Sequence, residues 1–223
     1  MTAGNRGPTG PELLRELGAV LADLPVFLAA PLVRRRHLRW GATDEELAAA
    51  LPGDALFPDA PFRATRAITV AAPPERVWPW LVQAGSGRAG WYSDDLLDNL
   101  GRPSASALVE EWQHVEIGGW VPMSPFGTPT ERTAFRVAEI DAPHRLLWTK
   151  PDSSWAWRLT PTADGGTRLL TRVSAVFDRS HPAAAAAGRL LMEFGDFAMQ
   201  RRMLRGIKSR AEAGGPGGHA VGR

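Results

Sequence analysis

The chain has 223 residues, with 26 basic and 24 acidic side chains and a formal charge of +2. That length suits one domain with a sizeable core plus an extension, and the absence of cysteine excludes a disulfide framework and thiolate chemistry. Lys150 and Lys208 are the only lysines, so an isoelectric point near 9.6 fits arginine-rich coding bias, and no RRM, HTH or zinc-finger pattern points to nucleic acid.

Residues 1–10 are polar and aperiodic and read as disordered, and residues 11–61 read as a helical extension and linker. Pro11-Glu12 opens a helix, with Leu13, Leu14, Leu17, Val20, Leu21 and Leu24 at helical spacing. No basic segment precedes this apolar run, so it does not read as a secretory signal. Asp23 interrupts it, and a membrane span needs about 20 apolar residues. Two readings of 11–39 remain open. The helix packs on the domain, which Asp23 and Pro25 favour, or it lies on an anionic membrane surface through Arg34, Arg35, Arg36 and Arg39. The expected location is the cytoplasm, with at most a peripheral membrane association. Thr43-Asp44-Glu45-Glu46 is a capping box opening a short helix, and a proline-rich linker leads to Phe62.

Residues 66–71 alternate and read as a strand. Pro74 opens a helix whose Val77, Trp80 and Leu81 share a face; Pro79 predicts a kink, or a start later than Pro74. Gly85, Gly87 and Gly90 match G-x-G-x-x-G but follow a helix, whereas a dinucleotide fingerprint follows a strand. They read as a helix stop and a bend, with Gly85 left-handed. After Trp91 and Tyr92, Ser93 is placed to cap a second helix carrying Asp94 and Asp95 in its first turn. Asp98 sits near the C-terminal end, where a negative charge is disfavoured, so an ion pair with Arg88 or Arg102 is expected to hold the loop.

Residues 108–117 alternate and read as a strand, with His114 facing solvent and Gln113 on the more apolar face. Further strands are expected at about 133–140, 145–150, 154–161 and 167–177. By parity Trp155, Trp157, Leu159, Leu169, Thr171, Val173, Ala175 and Phe177 face inward, and Arg158, Arg168 and Arg172 outward. His181-Pro182 opens the final helix, with a stripe of Leu190, Phe194, Phe197, Leu204 and Ile207 beside Met192, Met199 and Met203. Residues 212–223 read as a disordered tail.

The five histidines lack metal-ligand spacing and no G-x-S-x-G elbow exists, so neither a metal nor another cofactor is expected. The tracts RAITVAAPPERVWPW, GWYSDDLLDNLG and DFAMQRRMLRGIKSRAE resemble the START-like, helix-grip superfamily called SRPBCC, in a bacterial polyketide-cyclase-like branch, over residues 62–211. The resemblance implies an α+β fold with a curved antiparallel sheet around a long C-terminal helix, and a ligand cavity between them. On that basis Trp91, Tyr92, Gln113, Trp155, Trp157, Phe194 and Met199 are expected to line the cavity and bind a small hydrophobic or aromatic molecule. The implied roles are a carrier or sequestering protein, a polyketide cyclase/dehydratase-like enzyme, or a membrane-associated lipid or quinone chaperone.

Overall fold

Stretches of alternating residues pair into a six-stranded antiparallel sheet in the order β1-β6-β5-β4-β3-β2. The strands are β1 (Phe62–Val70), β2 (Trp120–Pro122), β3 (Ala134–Asp141), β4 (Arg145–Lys150), β5 (Ser153–Pro161) and β6 (Thr167–Ala175). The helices are α1 (Gly10–Ala29), α2 (Arg34–His37), α3 (Asp44–Ala48), α4 (Pro74–Val82), α5 (Asp95–Asp98), α6 (Pro182–Leu190) and α7 (Phe197–Ala213). A π-helical turn, Leu191–Asp196, joins α6 to α7. The computed structural model describes residues 10–29, 32–124, 126–177 and 180–213. Gly10 opens α1, and Glu212 and Ala213 end α7; the remainder of both expected tails lies outside the described residues.

The side-chain period of two divides the sheet into faces. Phe62, Ala64 and Val70 of β1 share the inner face with Trp155, Trp157, Leu159, Leu169, Val173 and Ala175, and α4 and α7 cover it with Val77, Leu81, Met203, Leu204 and Ile207. The inward parity of β5 and β6 is as expected. This is an α+β helix-grip architecture. The first strand starts four residues earlier than the alternation at 66–71 indicated, at Phe62.

The outer face explains the arginines predicted to point outward. Arg172 does leave the inner core, yet it is buried, because the segment around α3 lies over it. Its guanidinium donates to the carbonyls of Glu46, Leu47 and Ala49, to Asp54 and to Thr65. It thereby satisfies carbonyls at the end of α3 that the helix itself leaves free. Arg168 pairs with Glu46 at 2.7 Å, and the expected capping box at Thr43 is present. Leu51 joins Ala67, Leu147, Ala156 and Leu170 in a second apolar cluster beneath this cover. The extension also closes the free edge of β1, since Thr65 donates to Leu38 and Ala67 to Trp40. Parts of residues 32–61 therefore pack on the sheet, through Leu38, Trp40, Leu51 and the carbonyls bound by Arg172.

Three local expectations are corrected. Residues 108–117 form a 3₁₀ turn (Glu110–Trp112) and loop, with a strand only at Trp120–Pro122. The Gln83 side chain occupies backbone groups of this segment, accepting from Val109 N–H and donating to the Ala107 carbonyl, so no ladder is needed. Of the two alternatives at Pro79 the later start is overturned, since the helix begins at Pro74 and contains Pro79. The second helix has Asp94, not Ser93, at its N-cap, with no capping side-chain bond.

Helix α1 lies against α5, α7 and the π-helical turn. Nevertheless Leu14, Leu17, Leu21, Leu24 and Leu28, spaced three and four apart, are 45–71% exposed. No helix among the described residues is long and apolar enough to cross a membrane.

Arg172→Ala is expected to destabilise the fold by about 3–5 kcal/mol, because it leaves Asp54 and three carbonyls without their buried donor. Urea denaturation reads this directly, and a midpoint equal to the parent's would contradict the role assigned to the covering segment.

Candidate functional site

Four indoles and a phenyl ring fill the space between sheet and helix. Trp155 stacks on Trp157 at 5.0 Å and on Trp91 at 5.6 Å, and meets Trp148 and Phe135 edge-on at 5.4 and 6.0 Å. Such pairs add about 0.5–1.5 kcal/mol beyond area burial. Trp155 donates its N–H to Thr171 at 2.7 Å. The N–H groups of Trp148 and Trp157 are fully buried and have no acceptor. Of the residues expected to line a cavity, Trp91, Trp155 and Trp157 thus come together as one cluster.

Tyr92 and Gln113 meet around a residue the sequence reading missed. Gln83, fully buried at the end of α4, donates to the Tyr92 hydroxyl at 2.9 Å and accepts from the Gln113 amide at 2.8 Å. Burial pushes the Tyr92 phenol up to about 12, so it stays protonated. Phe194 and Met199 do not join the core cluster; Met203, Leu204 and Ile207 take that position. For Phe194 the π-helical turn is the reason. It places Phe194 out of phase with α7, leaves Leu190 exposed and sends Phe197 toward His37.

The loop carrying Trp91 is pinned to α7. Gly85 and Gly90 exchange backbone hydrogen bonds at 3.1 and 3.2 Å, closing the glycine bend on itself. Asp94 pairs with Arg202 at 3.0 Å, and Arg210 lies over the Tyr92 ring at 4.6 Å while donating to the Ala105 carbonyl. Gly206 admits the loop itself: a Cβ there would stand 2.3 Å from the Tyr92 carbonyl oxygen. Asp95 accepts from the Ser104 backbone and hydroxyl.

The expected ion pair of Asp98 does not form. Arg88 donates instead to the Trp112 carbonyl at 2.9 Å, and Asp98 accepts from the Ser93 hydroxyl, its other oxygen buried without a partner. Burial raises the Asp98 carboxyl from 3.8 to about 7, and the charges of Asp95 and Asp94 add to the rise.

A second polar cluster was not foreseen. Arg66 points to the inner face of β1, fully buried, and donates to the His37 carbonyl at 2.8 Å, to Asp196 at 2.6 Å and to Gln200 at 2.6 Å. His37 is also fully buried, packs on Phe197 at 5.5 Å, and has neither ring nitrogen hydrogen-bonded. Burial, and then the Arg66 charge, lower its pKa, which favours the neutral ring. One available sign was that Arg66 shares its parity with Phe62, Ala64 and Val70, which makes it a charged residue on the apolar face.

Sheet, gripped helix and interleaved aromatic cluster define a helix-grip fold. No protein-family model and no curated protein matches the sequence. Among solved structures, the chain is similar to CalC of Micromonospora echinospora, described as a self-sacrificing resistance protein. The identity is 14%, over 70% of this chain and 97% of that one, with a TM-score of 0.44. It is also similar to the polyketide-cyclase-like protein Cgl2372 of Corynebacterium glutamicum (16% identity, 72% and 97% covered, TM-score 0.39). A third is protein NE0264 of Nitrosomonas europaea (14%, 68% and 95%, TM-score 0.41).

Asp98 sets a pH signature. Its folded pKa lies above the unfolded value, so between about pH 4 and 7 the native state holds a proton the unfolded chain has released. Stability from this group therefore falls as pH rises through that window. Asp98→Asn is expected to stabilise the protein by about 1–3 kcal/mol at pH 8 and to converge on the parent near pH 4. Denaturation at both pH values checks it; a variant less stable than the parent at pH 8 would mean that the carboxylate has a cation after all.

Proposed function

We propose that the chain binds a small, largely apolar or aromatic molecule between the inner sheet face and α7, as a carrier or sequestering protein. The observation that carries this reading is the pair of buried, acceptor-less indole N–H groups, Trp148 and Trp157, within a stack that includes a loop-borne ring, Trp91. Unsatisfied buried donors are costly, by about 1–3 kcal/mol each, and a ligand oxygen would relieve them. Trp91 comes from the loop, so a flat ligand could take its place on Trp155 without disturbing the strands. None of the rings on Trp155 titrates, which favours binding over acid–base catalysis. The polyketide-cyclase-like alternative would rely on Tyr92 and Gln83 as neutral hydrogen-bonding groups that fold a reactive chain into shape.

A neutral naphthylamine dye tests the site through quenching of tryptophan emission. Trp155→Ala is expected to weaken binding by about 1–3 kcal/mol, the scale of a lost large apolar contact. Trp91→Ala, which removes the competing ring, is expected to bind as tightly as the parent or more tightly. Equal affinities for parent and Trp155→Ala would refute the site.

The exposed leucine stripe of α1 supports the membrane-associated reading as a second possibility. Leu14, Leu17, Leu21, Leu24 and Leu28 face solvent, and Arg35 and Arg36 stay exposed just beyond. Co-sedimentation with phosphatidylglycerol vesicles is expected for the full chain and lost on deleting residues 1–31. Each basic residue would add about 1 kcal/mol, screened by salt. Binding retained by the truncated chain would reject the stripe as the anchor.

A further inference from the structure

We propose that the space between the N-terminal extension and the start of α7 is a separate binding site for an amphipathic anion, an apolar molecule bearing one carboxylate or phosphate. The space measures about 340 Å³ and is lined by Pro25, Ala29, Val33, Arg36, His37, Trp40, Phe197 and Arg201. Its size falls within the range of small-molecule sites. Five of those residues are apolar and the other three are basic or histidine.

The polar wall is short of acceptors. His37 Nδ1 and Nε2, Arg66 Nη2 and Gln200 Nε2 are buried with no hydrogen-bond partner, and their residues are at most 4% exposed. With the ring neutral, three of these four atoms donate at once, the arginine and amide nitrogens and one ring nitrogen, which suits an incoming oxyanion. The carboxylates of the π-helical turn are already engaged: Glu193 by Arg34 at 2.8 Å and Asp196 by Arg66 at 2.6 Å. Glu193 stands 3.8 Å from His37 Nε2, too far to satisfy it. Cations gather round the same ring system: Arg66 and Arg201 lie 5.4 and 5.7 Å from Phe197, and Arg205 lies 5.6 Å from Trp40. The apolar floor of Phe197, Trp40 and Val33 takes the body of the ligand. The π-helical turn that carries Glu193 and Asp196 ends at this point, and such turns recur at functional sites. The acidic group meets His37 and Arg201 at the inner end, with Arg36 at the mouth.

The probe is decanoate as a monomer in solution, with decanol as its uncharged counterpart and phosphatidylglycerol vesicles as the bilayer source of the same chemistry. Calorimetry on the full chain is expected to give saturable one-to-one binding of decanoate and at least about tenfold weaker binding of decanol. The His37 ring resonances are expected to shift on titration with decanoate. Arg201→Gln and Arg36→Gln, at partly exposed positions, are each expected to weaken decanoate while keeping the parent's melting temperature. His37→Gln serves as a third variant, and Trp155→Ala is expected to leave decanoate affinity unchanged, which separates this site from the indole stack. Equal affinity for decanol, unchanged affinity in both arginine variants, or binding to vesicles with none to monomeric decanoate would each overturn the proposal.

Discussion

The Arg66 guanidinium joins three parts of the chain that are distant in sequence. From the inner face of β1 it holds the His37 carbonyl of the extension and Asp196 and Gln200 of the last helix. A buried cation is stable only when its charge is paired, and Asp196 supplies that pairing, so these bonds fix where the helix enters the grip and where the extension crosses it. On the opposite face Arg172 does the same for the segment around α3. The sheet is thus bound by arginine on both sides, and Arg66 alone stands where side-chain parity would call for an apolar residue.

Within this frame the core and the loop over it are held by different forces. Strand indoles pack by area and ring geometry, which do not depend on salt or pH. The loop from Gly85 to Ala105 is held by Asp94–Arg202, by Arg210 and by buried polar groups of marginal stability such as Asp98. Trp91 belongs to the first system by contact and to the second by attachment. It is the ring in the stack with an independent reason to move.

The sheet was largely legible because strand parity is a local property. Trp155 and Trp157 follow from counting by twos, and so do their neighbours on β6. The false strand at 108–117 shows the limit. Its alternation was genuine, but the chain turns at Glu110–Trp112 instead, and a distant amide, Gln83, holds the Val109 N–H just before that turn. Asp98 was misread because the absence of a cation cannot be seen in a sequence, and burial without one raised its pKa instead. His37 was hidden at the end of an arginine run that resembled a solvated face. Phe194 was assigned by a constant 3.6-residue period, which the π-helical turn breaks before α7 begins.

That turn also sets how the last helix can change over time. A π-helical turn holds one residue more than the α-helical turn it replaces, and each residue is worth about 100° of rotation. The segment before it can therefore gain or lose a residue without disturbing the grip, since α7 keeps its own phase against the sheet. The same event swings Glu193 by more than a quarter of a circle relative to Arg34, while Asp196, next to α7, keeps its place beside Arg66. A one-residue change of length ahead of Asp196 thus leaves the grip in place and alters the chemistry beside His37.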